Sequence, residues 1–129
     1  MPRVKYEPAE DVKLLAQDIV KKLKMKWIRI ENLGFLRSYG SHSMAVARIY
    51  GLPRPFQVAF NLQPLYVIEV VSERFDRLVF EKKVEVVIHE LLHIPSSFSG
   101  GLRPHGSIVN NKKVKLLKEK YLKRRLARS

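Results

Sequence analysis

The chain has 129 residues, and its 25 lysines and arginines outnumber its 12 acidic residues, giving a formal net charge of +13. This length predicts a single domain over residues 1–129, and the charge favours polyanionic partners such as nucleic acid, although a merely solvated basic surface has the same balance. Because the chain has no cysteine, disulfides and thiolate ligands are excluded, and any metal must be held by His, Asp or Glu.

The N-terminal segment, residues 1–8, is polar and lacks the apolar core of a signal peptide. No stretch of the chain approaches the roughly 20 apolar residues that a membrane span requires. We therefore expect a cytoplasmic protein that does not associate with a membrane.

The first half of the chain alternates between helical and strand patterns. Residues 9–25 place apolar side chains at helical spacing, with lysines on the other side, and predict an amphipathic helix. Residues 27–31 alternate apolar and polar side chains and predict a short strand, whereas residues 35–43 are turn-rich. Residues 44–50 favour a second strand.

The middle of the chain contains the clearest strand pattern. Residues 56–60, after two prolines, predict a short helix or turn. Residues 65–71 are rich in β-branched and aromatic side chains and predict a strand, in which the charged Glu69 suggests that one face is not fully buried. A long helix should begin near Phe80 or Glu81.

The helix that begins near residue 80 and a C-terminal helix complete the predicted elements. The first should leave Glu85, His89 and His93 open to a cleft and bury a stripe formed by Val84, Val87, Ile88, Leu91 and Leu92. Residues 108–126 resume a helical pattern with many outward lysines and arginines, and we expect residues 123–129 to be frayed and strongly cationic.

The pattern His-Glu-x-x-His at His89, Glu90 and His93 indicates a metal site. Four residues apart on a helix, the two imidazoles lie on one face and can reach one ion. Glu90 would then hold and deprotonate a metal-bound water rather than bind the ion. The alternative is a buried helix whose histidines are satisfied by hydrogen bonds.

A third ligand is needed for a catalytic zinc site, which keeps a fourth position open. His105 is a candidate, because Pro95, the Gly100–Gly101 pair and Pro104 favour a segment that leaves the helix, turns and returns. The alternative third ligand is Glu119, the one acidic residue after Glu90.

On these residues the chain resembles the zincin metallopeptidases, and more specifically the small single-domain metallopeptidases of archaea and phages, over roughly residues 37–106. The block from Gly100 to Gly106 also resembles the SprT-like proteases, in which a downstream histidine followed by glycine is the third zinc ligand. The resemblance implies Zn²⁺ bound by His89, His93 and His105, with Glu90 as the general base. The strongest blocks are Tyr66-Val67-Ile68-Glu69, Glu73-Arg74-Phe75-Asp76 and Ile88-His89-Glu90-Leu91-Leu92-His93-Ile94-Pro95. Eleven residues separate His93 from His105, so the metzincin spacing is excluded.

The expected fold is therefore α+β and zincin-like. A small sheet of about three strands should pack against an active-site helix, an N-terminal helix and a C-terminal helix. The resemblance implies a peptide or protein substrate that pairs with an edge strand, for which residues 65–71 are the candidate. Arg103, Tyr66 and His42 are candidates to contact the substrate and its developing oxyanion.

Other functions fit the same residues. One is a nucleic-acid-binding protein that uses the basic residues 108–129 and has a structural or vestigial metal site. A combined function is a DNA-associated protease, since SprT-like proteases act on proteins attached to DNA. Another is a hydrolase of something other than peptide, because the motif defines water activation better than it defines the substrate.

Overall fold

The computed structural model describes residues 3–127, and these contain four strands and five α-helices. In chain order they are β1 (Lys5–Pro8), α1 (Glu10–Lys22), β2 (Leu33–Tyr39), β3 (Ala47–Gly51), α2 (Arg54–Ala59), β4 (Tyr66–Val71), α3 (Ser72–Phe75), α4 (Phe80–Leu92) and α5 (Asn111–Leu126). The predicted α+β class is confirmed, with four strands where about three were expected.

The strands form one mixed sheet in the order β1-β2-β4-β3. β1 and β2 are antiparallel, β2 and β4 are parallel, and β3 and β4 are antiparallel. β4 therefore has a hydrogen-bonded neighbour on each side, and the edges of the sheet are β1 and β3. The prediction that residues 65–71 form the edge strand is wrong, because β4 lies between β2 and β3 in the interior of the sheet.

The core lies between the helices and one face of the sheet. Helices α1 and α4 use apolar side chains at helical spacing to cover it, as their sequences predicted. The stripe predicted for α4 is fully buried, and α4 begins at Phe80 as expected. The other buried side chains of this core include Val12, Ala16 and Ile19 of α1 and Phe35, Ile68 and Val70 of the sheet.

The strand predicted for residues 27–31 is absent. This segment turns into a short 3₁₀ helix, Ile30–Asn32, and the Trp27 indole donates a hydrogen bond to the Ile94 carbonyl at 2.9 Å. The strand begins two residues later, at Leu33, and runs into a segment that was expected to be turn-rich. β2 forms there because β1 and β4 satisfy its backbone on both sides, and such tertiary pairing overrides local propensity.

Glu69 in β4 is 1% exposed, so the prediction of a partly open face at this residue is wrong. Its carboxylate accepts a hydrogen bond from the Tyr50 hydroxyl at 2.6 Å and lies 3.3 Å from the Arg48 Nε. Both partners come from β3, and Arg48 is directly opposite Glu69 in the register. A buried carboxylate is stable only with such partners, and burial together with Glu69 raises the pKa of Tyr50 to about 12.

The last helix ends where its sequence pattern predicted and begins three residues later, at Asn111. α5 continues to Leu126, and the Arg124 guanidinium donates to the Lys22 carbonyl at the end of α1 at 2.5 Å. The expectation of a frayed end from residue 123 is therefore wrong up to Leu126, while residues 128–129 lie outside the described part of the chain. Among residues 3–127, no helix combines the length and apolar character needed to cross a membrane.

Arg37 joins the sheet to two helical segments. Its side chain, 13% exposed, donates paired hydrogen bonds to Asp11 at 2.8 and 2.9 Å and further hydrogen bonds to Asp76 at 2.9–3.2 Å. The Arg37 hydrogen bond is the main cause of the lowered pKa of Asp11. Burial alone would raise the pKa of Asp76, but hydrogen bonds from Arg37 and Ser72 lower it overall.

Arg37→Met should lower the free energy of unfolding by about 1 kcal/mol at neutral pH, since both carboxylates are partly solvated. Their folded-state pKa values lie below the unfolded ones, so this stabilisation is present above the unfolded pKa and is lost as the pH falls through the folded pKa. Urea unfolding at neutral pH and at about pH 3 should show the difference shrinking in acid. The exposed Arg77→Met is the control. An equal effect of the two variants would contradict the role of Arg37.

Candidate metal centre

His89 and His93 are placed by the last turns of α4. The apolar stripe of that helix faces the core, so the two histidines, four residues apart, lie on the half-buried opposite side. Their ring centroids are 5.0 Å apart. The helix ends at this point, where Pro95 disfavours a further turn and the His93 amide donates to the Glu90 carbonyl at 3.1 Å.

The chain then returns to the helix end through two hydrogen bonds between His93 and Arg103. The Arg103 amide donates to the His93 carbonyl at 2.6 Å, and the His93 Nδ1 donates to the Arg103 carbonyl at 2.6 Å. Because a carbonyl can only accept, Nδ1 of His93 carries the proton and Nε2 is left with a free lone pair. Carbonyl groups commonly orient metal-binding histidines in this way.

His105 enters the site two residues after Arg103. Its Nε2 lies 3.0 Å from the His89 Nε2, and its ring centroid lies 4.8 Å from that of His93. One nitrogen from each of the three imidazoles lies within 4.8 Å of the others, so the three side chains could hold a metal ion. Burial, together with the two neighbouring imidazoles, lowers the pKa of His89 and favours the neutral form that binds metals.

Three imidazoles also suit the chemistry of the chain, which has no cysteine. Tetrahedral zinc with nitrogen ligands at about 2.0 Å separates those nitrogens by about 3.3 Å, close to the 3.0 Å between the Nε2 atoms of His89 and His105. The alternative carboxylate ligand is on another surface. Glu119 is 67% exposed on α5, with its oxygen 3.9 Å from the Lys118 ammonium, and it is not in the histidine cluster.

Glu90 lies beside the cluster and is 8% exposed. Burial raises the pKa of its carboxyl group to about 7, and a cation held by the histidines would lower it again. The group borders a cavity of about 270 Å³ that also contacts His89 and the first turn of α5 at Asn111 and Val114. A second cavity, of about 440 Å³, is lined by the three histidines, Glu90 and Ala47–Ile49 of β3. Together they form an open cleft along the edge strand.

The loop that delivers His105 is fastened to the sheet. The Tyr66 hydroxyl accepts from the Gly100 amide and donates to the Gly101 carbonyl, both at 2.8 Å. Gln57 donates to the carbonyls of Leu52 and Ser99, both at 2.9 Å. Gly100 has a φ of +103° and packs directly on the strand end, so a side chain there would be strained and would clash with backbone.

The other predicted site residues make contacts within the chain. The Arg103 guanidinium donates to the Ile94 carbonyl at 2.8 Å and lies 5.8 Å from the centre of the Trp27 ring. Tyr66 is 1% exposed and holds the loop, and His42 is exposed. The geometry thus gives Arg103 and Tyr66 structural contacts, and their roles in substrate binding stay predictions.

Sequence reasoning missed several residues of this site. It did not identify the backbone of Arg103 as the partner of His93, or Gln57 and Asn111 as parts of the loop anchor and the cleft. A backbone contact leaves no side-chain signal in a sequence. Arg103 lies two residues before the candidate ligand His105, and this proximity was the one indication in the sequence that its backbone could contact the site.

An α+β fold that brings three imidazoles together beside a buried carboxylate in an open cleft is that of a candidate metalloenzyme. A family model described as "Putative phage metallopeptidase" matches residues 4–125, and the chain belongs to that family. The expected resemblance to small metallopeptidases is confirmed, and the match extends well beyond residues 37–106. Searches of curated proteins and of solved structures gave no significant match.

Tyr66→Phe tests the anchoring of the loop. The variant should lose about 2 kcal/mol of unfolding free energy in metal-free protein, because the Gly100 amide and the Gly101 carbonyl would both lose their partner. Urea unfolding measures this loss. Tyr6→Phe, at a tyrosine that is 54% exposed, is the matched control and should change stability by less than about 0.5 kcal/mol. A small loss for both variants would show that the hydroxyl is not an anchor.

Proposed function

We propose that the protein is a zinc-dependent peptidase. His89, His93 and His105 are the zinc ligands, and Glu90 is the general base. The observation that carries the proposal is the convergence of the three imidazoles in an open cleft, with Nδ1 of His93 donating to a carbonyl so that its other nitrogen is free. The family supports metal-dependent cleavage of peptide bonds, and the all-nitrogen ligand set supports zinc.

Bound zinc supplies Lewis acidity at an open coordination position, which lowers the pKa of a water ligand to about 7 and polarises a peptide carbonyl. Glu90 takes the proton from the attacking water and passes it to the departing amine. Burial raises the pKa of Glu90, and a bound cation lowers it again, which favours the carboxylate form that accepts a proton from the water. Glu90 lines the same cavity as the three histidines, which supports a role beside the attacking water rather than as a ligand.

The substrate peptide binds along β3, which replaces residues 65–71 as the proposed edge strand. Just outside β3, the Val46 carbonyl accepts from the Val71 amide and the Leu52 amide donates to the Leu65 carbonyl. Strand alternation therefore points the backbone groups of Ala47 and Ile49 to the free edge. An extended peptide can add there as a further strand. Ala47 and Ile49 also line the cavity of the three histidines, so a peptide on this edge passes over the site.

The downstream ligand is followed by Gly106, as in the SprT-like proteases that the sequence resembles. Gly106 donates its amide to the Val109 carbonyl at 2.9 Å, and His105 forms an isolated bridge with Val109. This small turn fixes the backbone on the C-terminal side of His105, and Arg103 fixes it on the N-terminal side. We include a SprT-like third ligand in the proposal on this basis.

Glu90→Gln should reduce kcat/KM on a labelled mixture of unfolded protein or peptide substrates by about 10³-fold while keeping one zinc per chain, because only the proton acceptor is lost. His105→Ala, in contrast, should lose both the activity and the zinc. The measurements are zinc content after dialysis and the rate of peptide release in the same preparations.

Two matched variants control this experiment. Glu81→Gln changes an exposed carboxylate at the start of the same helix, and His42→Ala removes the exposed histidine outside the cluster. Both should keep one zinc per chain, and Glu81→Gln should also keep full activity. Full activity in Glu90→Gln would refute the role of Glu90, and normal zinc content in His105→Ala would refute the ligand set.

Ile49→Pro tests the peptide edge. Proline removes an outward N–H that bonds neither to β4 nor to the core, so the fold should tolerate it at an edge strand. We expect kcat/KM to fall about tenfold through the loss of one backbone hydrogen bond to substrate. Ile49→Val, which keeps the N–H and removes one methylene, is the control. Unchanged kinetics in the proline variant, with normal circular dichroism, would place the substrate elsewhere.

A further inference from the structure

Most of the net charge of the protein is concentrated in two short segments. Residues 18–26 and 111–127 contain 12 of the 25 basic residues and only 2 of the 12 acidic ones, Asp18 and Glu119. These segments account for ten of the thirteen net positive charges, whereas the rest of the chain is almost balanced. The basic residues are Lys21, Lys22, Lys24, Lys26, Lys112, Lys113, Lys115, Lys118, Lys120, Lys123, Arg124 and Arg125.

The fold brings the two segments together from opposite ends of the sequence. The Tyr121 hydroxyl of α5 donates to Asp18 of α1 at 2.5 Å, and Arg124 donates to the Lys22 carbonyl. Lys120 lies one helical turn before Arg124, on the same face of α5. We call the surface made by the end of α1 and this face of α5 the basic surface. A cavity of about 410 Å³ within it is lined by Lys21, Lys22, Lys24, Arg124 and Ala127.

Several basic residues outside this surface form ion pairs with acids. Arg37 contacts two aspartates, and Lys118, on the other side of α5, contacts Glu85 at 2.8 Å. On the basic surface Asp18 is already occupied by Lys22 and Tyr121. Among residues 3–127, no carboxylate forms an ion pair with Lys21, Lys120 or Lys123. Such a cluster repels itself, and a bound polyanion would relieve that repulsion.

The chemistry of the surface selects among polyanions. α5 has 16 residues and is about 24 Å long, so its charges can follow a row of phosphates. Leu116 and Leu126 are its only strongly exposed apolar residues, too few for insertion into a membrane interface. The one aromatic residue of the two segments, Tyr121, is 1% exposed, so these segments themselves offer no ring on which the bases of a single strand could stack.

We propose that the basic surface binds the phosphate backbone of a double-stranded nucleic acid, without reading its sequence. The contact goes beyond peptide cleavage and does not depend on it, since the surface and the histidine cluster use different residues. Association should be strongly salt-dependent, because each phosphate contact releases a counterion. DNA and RNA duplexes present the same backbone charge, and the experiment compares them.

The test is fluorescence anisotropy with the full chain and labelled 20-base-pair DNA and RNA duplexes, a 20-nucleotide single strand, and vesicles containing phosphatidylserine. The variant K21Q/K120Q/K123Q neutralises three exposed lysines of the basic surface. We expect it to bind at least one duplex about 10-fold or more weakly at moderate salt, with a salt slope smaller by about 3.

The matched control K5Q/R54Q/R77Q removes three exposed charges elsewhere and should weaken binding by no more than about twofold. Glu90→Gln should bind like the unmodified protein, which separates this contact from peptidase activity. If the two triple variants weakened duplex binding equally, net charge alone would explain the binding, and the proposal would be overturned. Tighter binding to the single strand or to vesicles, or no duplex binding at low salt, would also overturn it.

Discussion

The site depends on two hydrogen bonds between His93 and Arg103. One bond joins the end of α4 to the returning loop, and the other places the proton of His93 on Nδ1. The same pair brings the chain to the helix end just before His105. These two hydrogen bonds to the Arg103 backbone thus define the position of the third imidazole and the tautomer of the second. The sheet supports this contact from behind, where Tyr66 and Gln57 hold the loop.

The elements that could be predicted from the sequence are those whose local pattern of apolar residues matches the side chains that the fold buries. The apolar stripe of α4 defined the helix and the face that carries His89 and His93, and three neighbouring histidines in one region indicated the cluster. The sheet was harder to predict. β1 is exposed at all four residues and has no buried face to create an alternating pattern, and β2 lies in a turn-rich segment that long-range pairing makes extended.

The misplaced edge has a single physical origin. Residues 65–71 have the strongest strand pattern because β4 is buried on both faces, and the same burial makes it an interior strand. Glu69 gave the opposite impression, since an isolated carboxylate in a strand normally marks a solvated face. Its partners Arg48 and Tyr50 come from β3, a strand whose pairing the sequence does not encode locally. A satisfied buried charge is therefore easily mistaken for an exposed one.

Helix α5 connects the cleft and the basic surface. Its first turn, at Asn111 and Val114, borders the cleft beside Glu90, and its last turn carries Arg124 to the end of α1. The packing that buries Val114 and Tyr121 holds both ends in one rigid element. A polyanion bound along α5 would therefore lie at a fixed distance from the cleft, and proteins associated with that polyanion would be concentrated near the histidine cluster. The charge of the chain and the chemistry of its cleft can thus act on the same substrate through one helix.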